Sequence, residues 1–477
     1  MRAERESPLG RERRGFPRAL YSCPSPARGK PRAGPAPTTL RVQRVSGRLR
    51  FALRSLRGRN LRVFFAGQGV SLIGTWMQQL GMSWLVYRLT GSSVLLGVMA
   101  FSSQVPSLFL APLAGAAADR WSRYRLVVAA QAGSMVLALV LATLVLSDRI
   151  EIWHLITFAL LSGILSGIDI PARQSLLVSL VESPEDLPNA IALNSSMFNA
   201  ARLVGPSVAG VLIGLVGEGP VFLINGLSYV AVLVALSTIR VPRLPRRDQA
   251  SILQSLRAGW RYAAGFAPIR ALLLLLAGVS MVGIPYTVLL PVFAADVFGG
   301  NASTLGLLTS SAATGALAGT LFLASRDSIR GIGTLIAQAC GLFGVGLIGF
   351  SLARTPWTGS LLLVFAGFGV IVTTAGINTV LQTLVEEEMR GRVMSLYTVA
   401  FVGLSPFGSL TGGWLAAHLG APVTVALGGA GCLVLSAWFA RVLPALREEA
   451  RPVLVARGVL PEVAEGVSTA TWFRLRN

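Results

Sequence analysis

Apolar runs of about 20 residues alternate with short polar loops from residue 62 to residue 441, a spacing that predicts a bundle of membrane-spanning helices. Twelve candidate helices fall approximately at 62–87, 93–118, 125–147, 152–171, 188–216, 219–240, 269–295, 303–325, 331–353, 357–378, 391–418 and 421–441. Proline and glycine inside them are compatible with this reading, because neighbouring helices can satisfy freed backbone groups. The one long interruption, 241–268, holds Pro242, Pro245, Arg246 and Arg247 and then an amphipathic run from Ile252 to Phe266. Such a run suits the surface of a membrane. It divides the helices into two sets of six.

The arginines fall in every second loop. After Arg62 they cluster at Arg120, Arg123 and Arg125, at Arg173, from Arg240 to Arg270, at Arg326 and Arg330, at Arg390 and Arg392, and from Arg441 onward. The intervening loops hold Arg88, Arg149 and Arg354. Loops rich in Arg and Lys stay in the cytoplasm. The pattern therefore predicts an even number of crossings of the cell membrane, with both termini cytoplasmic.

Composition supports a membrane protein. Of 477 residues, 53% are hydrophobic and 13% charged, far from the roughly 25% charged content of soluble domains, and mean hydropathy is +0.64. A net charge of +21 raises nucleic acid as a partner, but its placement argues against one. Residues 1–62 carry seventeen basic and three acidic residues, so they account for +14 of it. Residues 1–48, rich in Pro, Gly, Ser and Arg, lack apolar periodicity and are expected to be a disordered basic tail near anionic lipid. Arg13-Arg14 precedes no apolar segment, which excludes a twin-arginine export signal there. Cys23, Cys340 and Cys432 have neither metal-site nor disulfide-framework spacing, and neither a metal nor a cofactor is expected.

The two sets of six repeat one another. Gly69-Val70-Ser71 matches Gly278-Val279-Ser280, and Leu96-Gly97 matches Leu305-Gly306, both at an offset of 209. Ser179-Leu180-Val181-Glu182 echoes Thr383-Leu384-Val385-Glu386, and Gly205-Pro206 echoes Ser405-Pro406. Their shared order carries the inference. Parallel repeats place a binding site between two halves that rock about it, so the pattern predicts an alternating-access carrier.

Gly115-Ala116-Ala117-Ala118-Asp119-Arg120-Trp121-Ser122-Arg123-Tyr124-Arg125, between the second and third candidate helices, resembles the signature of the major facilitator superfamily, with Ser122 where that family commonly has Gly. Ser71 through Tyr87, and Asp169-Ile170-Pro171-Ala172-Arg173-Gln174 through Asn194, are similar to the efflux branch that includes enterobactin exporters and macrolide-efflux proteins. The resemblance covers about residues 50–445. It implies an all-α membrane protein of twelve transmembrane helices in two pseudo-symmetric six-helix halves. It also implies an inner gate formed by Gly115, Asp119, Arg120 and Arg123, with Asp169 and Arg173 completing a charge network.

The chemistry of that segment can be argued independently. Asp119 and Arg123 are spaced i, i+4 and can pair across a tight loop, and a carboxylate there can meet the positive end of a helix from the other half, a contact worth up to about 2 kcal/mol. Such contacts form only when that side is closed. The alternative is a segment that merely anchors topology with solvated charges.

Arg202 lies near the middle of the fifth candidate helix, where a charge costs several kcal/mol and normally faces a cavity or a partner. No acidic residue lies at comparable depth. Two readings follow: a cavity-lining cation that attracts anionic or phenolic substrate groups, or an arginine satisfied by carbonyls and by neighbours such as Asn194 and Asn199. Gln68, Trp76, Gln79, Asn199, Asn225 and Asn378 complete the candidate substrate residues, and each also suits interhelical hydrogen bonding or packing. Gly205, Pro206 and Gly210 resemble a degenerate form of the fifth-helix motif of superfamily exporters. With Pro406 they are candidates for close or bent helix packing.

Other function classes lack their residues. Lys30, the only lysine, sits in the tail, so no nucleotide-binding P-loop exists. His154 and His418 belong to no zinc or nucleophile motif, so an enzyme is not expected. A passive channel, a non-transporting receptor or scaffold, and an uptake carrier are the competing readings. The expected protein is a monomeric secondary exporter of an amphiphilic small molecule, siderophore or drug, coupled to an ion, taken as the proton. Its expected divisions are a tail (1–48), a first half (49–240), a cytoplasmic loop (241–268), a second half (269–443) and a cytoplasmic tail (444–477).

Overall fold

The computed structural model describes residues 54–120, 122–239, 252–326, 328 and 330–457, with side chains described throughout except at 111–120, 184 and 252–258. The first half contributes α1 (Arg59–Thr90), α2 (Ser93–Arg120), α3 (Arg123–Leu146), α4 (Ile152–Leu180), α5 (Leu187–Val216) and α6 (Glu218–Thr238). A short helix, α7 (Ile252–Gly265), precedes the second half. There follow α8 (Ala267–Val297), α9 (Ala302–Ala324), α10 (Ile332–Leu352), α11 (Pro356–Leu384), α12 (Glu387–Leu419) and α13 (Ala421–Ala456). Eleven of these are long and apolar enough to cross a membrane. The twelfth, α1, has 32 residues and is less apolar because it carries Gln68, Gln78 and Gln79. The fold is thus all-α, with twelve spanning helices in two six-helix halves.

Local chemistry sets where the helices begin and end. The α1 helix stops where Gly91 adopts a left-handed φ of 60° and returns its N–H to the Tyr87 carbonyl at 2.7 Å. Asn301 starts α9 by accepting from the Ser303 and Thr304 amides at 3.0 and 3.4 Å. Two helices are locally widened into π turns, α8 at Val279–Gly283 and Phe293–Val297, and α12 at Val399–Gly403. A π turn misaligns the carbonyl ladder. Where the two widened helices touch, the Ser280 hydroxyl supplies a donor to the Phe401 carbonyl, 2.5 Å away.

The last helix outlasts its apolar run: α13 passes residue 443 and runs on to Ala456 through Pro444 and Pro452, so the segment from 444 starts as helix. The apolar run ends near Arg441, but Ala445, Leu446, Arg447, Glu448, Glu449 and Ala450 are strong helix formers. Loss of hydropathy marks the end of the apolar span, not the end of the helix.

Each half packs by the same scheme: α2 against α4, α3 against α4 and α6, and α1 against α6, mirrored by α9 on α11, α10 on α11 and α13, and α8 on α13. The halves meet chiefly through α2 with α12 and α5 with α9. These two crossings are related by the repeat, and each is built on a pair of glycines. A Cβ on Gly97 would lie 2.8 Å from the Ser409 carbonyl oxygen, and one on Gly413 would lie 2.5 Å from that of Ser93. At the other crossing, a Cβ on Gly210 would lie 2.8 Å from the Ala302 oxygen, and one on Gly306 would lie 2.7 Å from that of Pro206. Gly97 and Gly306 are the equivalent positions at offset 209.

Glycine also sets the core of the second half, where a Cβ on Gly315 would fall on the Val364 carbonyl. Backbone cannot swing aside, so Gly315→Ala is expected to cost about 1–3 kcal/mol of overpacking. Gly341→Ala meets only the Ser436 hydroxyl at 3.1 Å and should be tolerated. Thermal unfolding of both purified variants checks this; equal midpoints would contradict it.

Candidate functional site

The seam between the halves is closed near the end of the bundle that is poor in arginine. Tyr87, one turn before the end of α1, donates to Asp296 Oδ2 at 2.5 Å near the end of α8. The two residues are 209 positions apart, so the bond joins equivalent places across the pseudo-twofold axis. Beside it, Arg88 Nε and Nη2 meet Glu218 Oε1 and Oε2 at 2.8 and 3.3 Å, tying α1 to α6. The Ser93 hydroxyl donates to the Gly413 carbonyl at 3.0 Å, and Ser303 to that of Gly210 at 2.9 Å. Nearer the middle come the Ser207–Ser310 hydroxyl pair at 2.6 Å and the edge-on Phe101 and Phe407 rings, 5.5 Å apart. All described hydrogen bonds and ring contacts between the halves lie between this end and the middle of the helices.

At the middle sits Arg202. It is fifteen residues from the start of α5 and fourteen from its end, or roughly 21–22 Å at 1.5 Å per residue. Its guanidinium carbon lies 5.8 Å from the Trp76 ring centroid, and Trp76 in turn stands edge-on to Phe198 at 5.6 Å. Gly205 lets this cluster form, because a Cβ there would lie 2.5 Å from Trp76 Cβ. Among the described residues no carboxylate, carbonyl or amide oxygen accepts a hydrogen bond from Arg202. The Asn199 amide, one candidate neighbour, donates instead to the Ser195 carbonyl at 2.9 Å. A cation–π contact supplies about 0.5–2 kcal/mol and does not neutralise the charge. Arg202 is thus a half-buried cation at the middle of its helix, set against the Trp76 ring and without a carboxylate partner among the described residues.

The remaining sequence candidates divide. Trp76 joins Arg202, and Gln79 follows it one turn along α1, exposed. Asn225 does not reach the seam: it is fully buried between α6 and α1, donating to Gln78 Oε1 at 2.7 Å and accepting from Ser228 at 3.3 Å. Gln68 is likewise enclosed, at 2% exposure, and its Oε1 has no partner among the described residues. Asn378 sits in the second half and accepts from Gln382 at 2.5 Å. Pro206 and Gly210 lie at the α5–α9 crossing, and Pro406 opens the straight part of α12 just after its π turn.

The gate candidates are only partly visible. The side chains of Gly115, Asp119 and Arg120 lie outside the described residues, so the expected Asp119–Arg123 pair does too; Arg123 opens α3. Asp169 and Arg173 do come together, 3.1 Å apart within α4. The Asp169 carboxylate also accepts from Gln131 Nε2 on α3 at 2.9 Å, which fixes it inside the first half. Sequence reasoning missed Gln131, Phe198 and the Tyr87–Asp296 bond, although adding 209 to Tyr87 points to Asp296.

The profile of the transmembrane secretion effector family matches residues 51–468. The chain belongs to that family, within the major facilitator superfamily. It is 28% identical over 352 residues to the staphyloferrin A transporter of Staphylococcus aureus, covering 73% of this chain and 87% of that one. It is 24% identical to macrolide efflux protein A of Streptococcus pyogenes, covering 70% and 83%. Among solved structures, a bacterial homologue of the iron transporter ferroportin in an inward-facing state superposes with a TM-score of 0.63 at 18% identity, covering 80% of this chain and 98% of that one. That likeness shows the fold. The family member described here is a multi-pass membrane transporter of efflux type, a class that binds small-molecule substrates.

Proposed function

We propose that this transporter exports an amphiphilic small molecule bearing an anionic or phenolic group, by alternating access coupled to entry of protons. The carrying observation is Arg202, an uncompensated cation at the middle of α5 with Trp76 and Phe198 beside it. A ligand with a flat apolar part and an acidic group would satisfy both the rings and the charge. This chemistry favours a siderophore-like substrate over a cationic drug, in keeping with the similarity to a staphyloferrin A transporter.

The arginine pattern supports a cell-membrane orientation with both termini and the 241–268 loop in the cytoplasm, dividing the halves at 49–240 and 269–443. In that orientation the closed end with Tyr87 and Asp296 faces outward, and substrate enters from the cytoplasm. Rocking of the halves, each one working unit of a monomer, then breaks the outer contacts and makes inner ones, with Asp119, Arg123, Asp169 and Arg173 at the inner gate.

Proteoliposomes test the coupling. An imposed proton gradient is expected to drive concentrative transport without ATP, and a protonophore should abolish it. Accumulation that persists with no ion gradient would contradict a secondary carrier, and transport that only equilibrates substrate would favour a channel.

A further inference from the structure

We propose that a second site, at the arginine-rich end of the second half, binds an anionic phospholipid. A cavity of about 310 Å³ opens there among α8, α10, α11 and α13. Its deep wall is apolar, formed by Leu272, Ile336 and Phe439, while Arg330, Arg447 and Arg451 stand among its lining residues. Among the described residues no acidic side chain lines it, and none of its lining residues belongs to the first half, so it is separate from the Arg202 seam.

The charge balance selects the occupant. Arg447 and Arg451 are one turn apart on the part of α13 that continues beyond the apolar run, so their side chains share a face. Arg447 donates to the Thr334 hydroxyl, a neutral acceptor. Two carboxylates, Glu448 and Glu449, lie between the two arginines in sequence; Glu449 is turned to the start of α8, where it accepts from the Ala267 amide at 3.2 Å. No carboxylate among the described residues pairs with Arg330, Arg447 or Arg451.

Three cations at the edge of an apolar slot match a molecule with a phosphate at one end and an acyl chain at the other. Guanidinium groups suit phosphate oxygens, and basic pockets between membrane helices suit acidic headgroups. A free phosphate would leave the apolar wall uncovered, and a neutral chain would leave the arginines unbalanced. The arginines also stand where the helices leave their apolar stretch, the level of lipid headgroups. Assignment to the inner leaflet rests on the orientation proposed above; the binding itself does not.

The test uses the purified full chain in detergent, with thermal unfolding and native mass spectrometry as readouts. Phosphatidylglycerol is expected to bind at one copy and raise the unfolding midpoint, while phosphatidylcholine and inorganic phosphate do neither. Arg447→Gln with Arg451→Gln should weaken phosphatidylglycerol about 25-fold, from about fivefold for each arginine facing an acidic headgroup. Ala450→Phe, which fills the slot and spares the arginines, should abolish binding by an independent route. Equal binding of the two lipids, a midpoint shift reproduced by phosphate alone, or phosphatidylglycerol binding unchanged in both variants would overturn the proposal. Binding that appears only after removal of residues 458–477 would also overturn it, making that segment the natural occupant. Loss of lipid binding with transport coupling intact would leave the export reading standing, so the two fail separately.

Discussion

Valine at Gly306 or at Gly413 is expected to hold the arginine-poor end of the transporter open. At both positions a Cβ would meet backbone of the opposite half, the Pro206 oxygen at 2.7 Å and the Ser93 oxygen at 2.5 Å. Backbone on a packed helix cannot rotate away as a side chain can. Overpacking of this kind costs about 1–3 kcal/mol, but only in the conformation where the helices touch. An equilibrium between closed and open seams then shifts by about 5- to 150-fold toward open, because every 1.4 kcal/mol is a factor of ten. Each half keeps its own packing, so thermal stability should fall little while turnover falls by one to two orders of magnitude. Tyr87→Phe loses a single hydrogen bond to the exposed Asp296 and should shift the same equilibrium only about fivefold. Spin labels at Leu89 and Leu419, exposed near that end on opposite halves, report the separation directly. An unchanged distance distribution in Gly306→Val would remove the glycine crossing as a determinant of closure.

Much of this architecture was legible because membrane helices write themselves as apolar runs of fixed length, and because the repeat survives in short matches. The offset of 209 that aligns Gly97 with Gly306 also aligns Tyr87 with Asp296, and the two pairs mark the same closed end. What the sequence could not give was direction around each helix. Gln68, Asn225 and Arg202 look alike as polar residues in apolar surroundings, yet Asn225 bonds within the first half, Gln68 is enclosed, and Arg202 stands half-buried beside Trp76. A difference of about 100° in facing decides which is glue and which is available. The continuation of α13 escaped for another reason: hydropathy measures contact with lipid, and Arg447 and Arg451 sit on a helix that has left it.

Arg202 offers the sharpest division between recognition and architecture. If it attracts the acidic group of the substrate, Arg202→Gln should weaken an anionic substrate by about 10- to 100-fold, the loss expected for a charge-assisted contact of about 1.5–3 kcal/mol. A neutral analogue of the same shape should change by less than about twofold. Arg202→Lys keeps the charge but loses the planar group that lies over Trp76, so it should recover part of the anionic affinity. The absence of any hydrogen-bond acceptor for Arg202 among the described residues argues that little packing energy depends on it, so unfolding midpoints of both variants should stay within a few degrees of the parent. A structural arginine would behave otherwise: its loss would lower the midpoint and reduce anionic and neutral substrates together. Binding of a charged and a neutral ligand to both purified variants, with their melting curves, separates these outcomes; equal loss for the two ligands would end the recognition role.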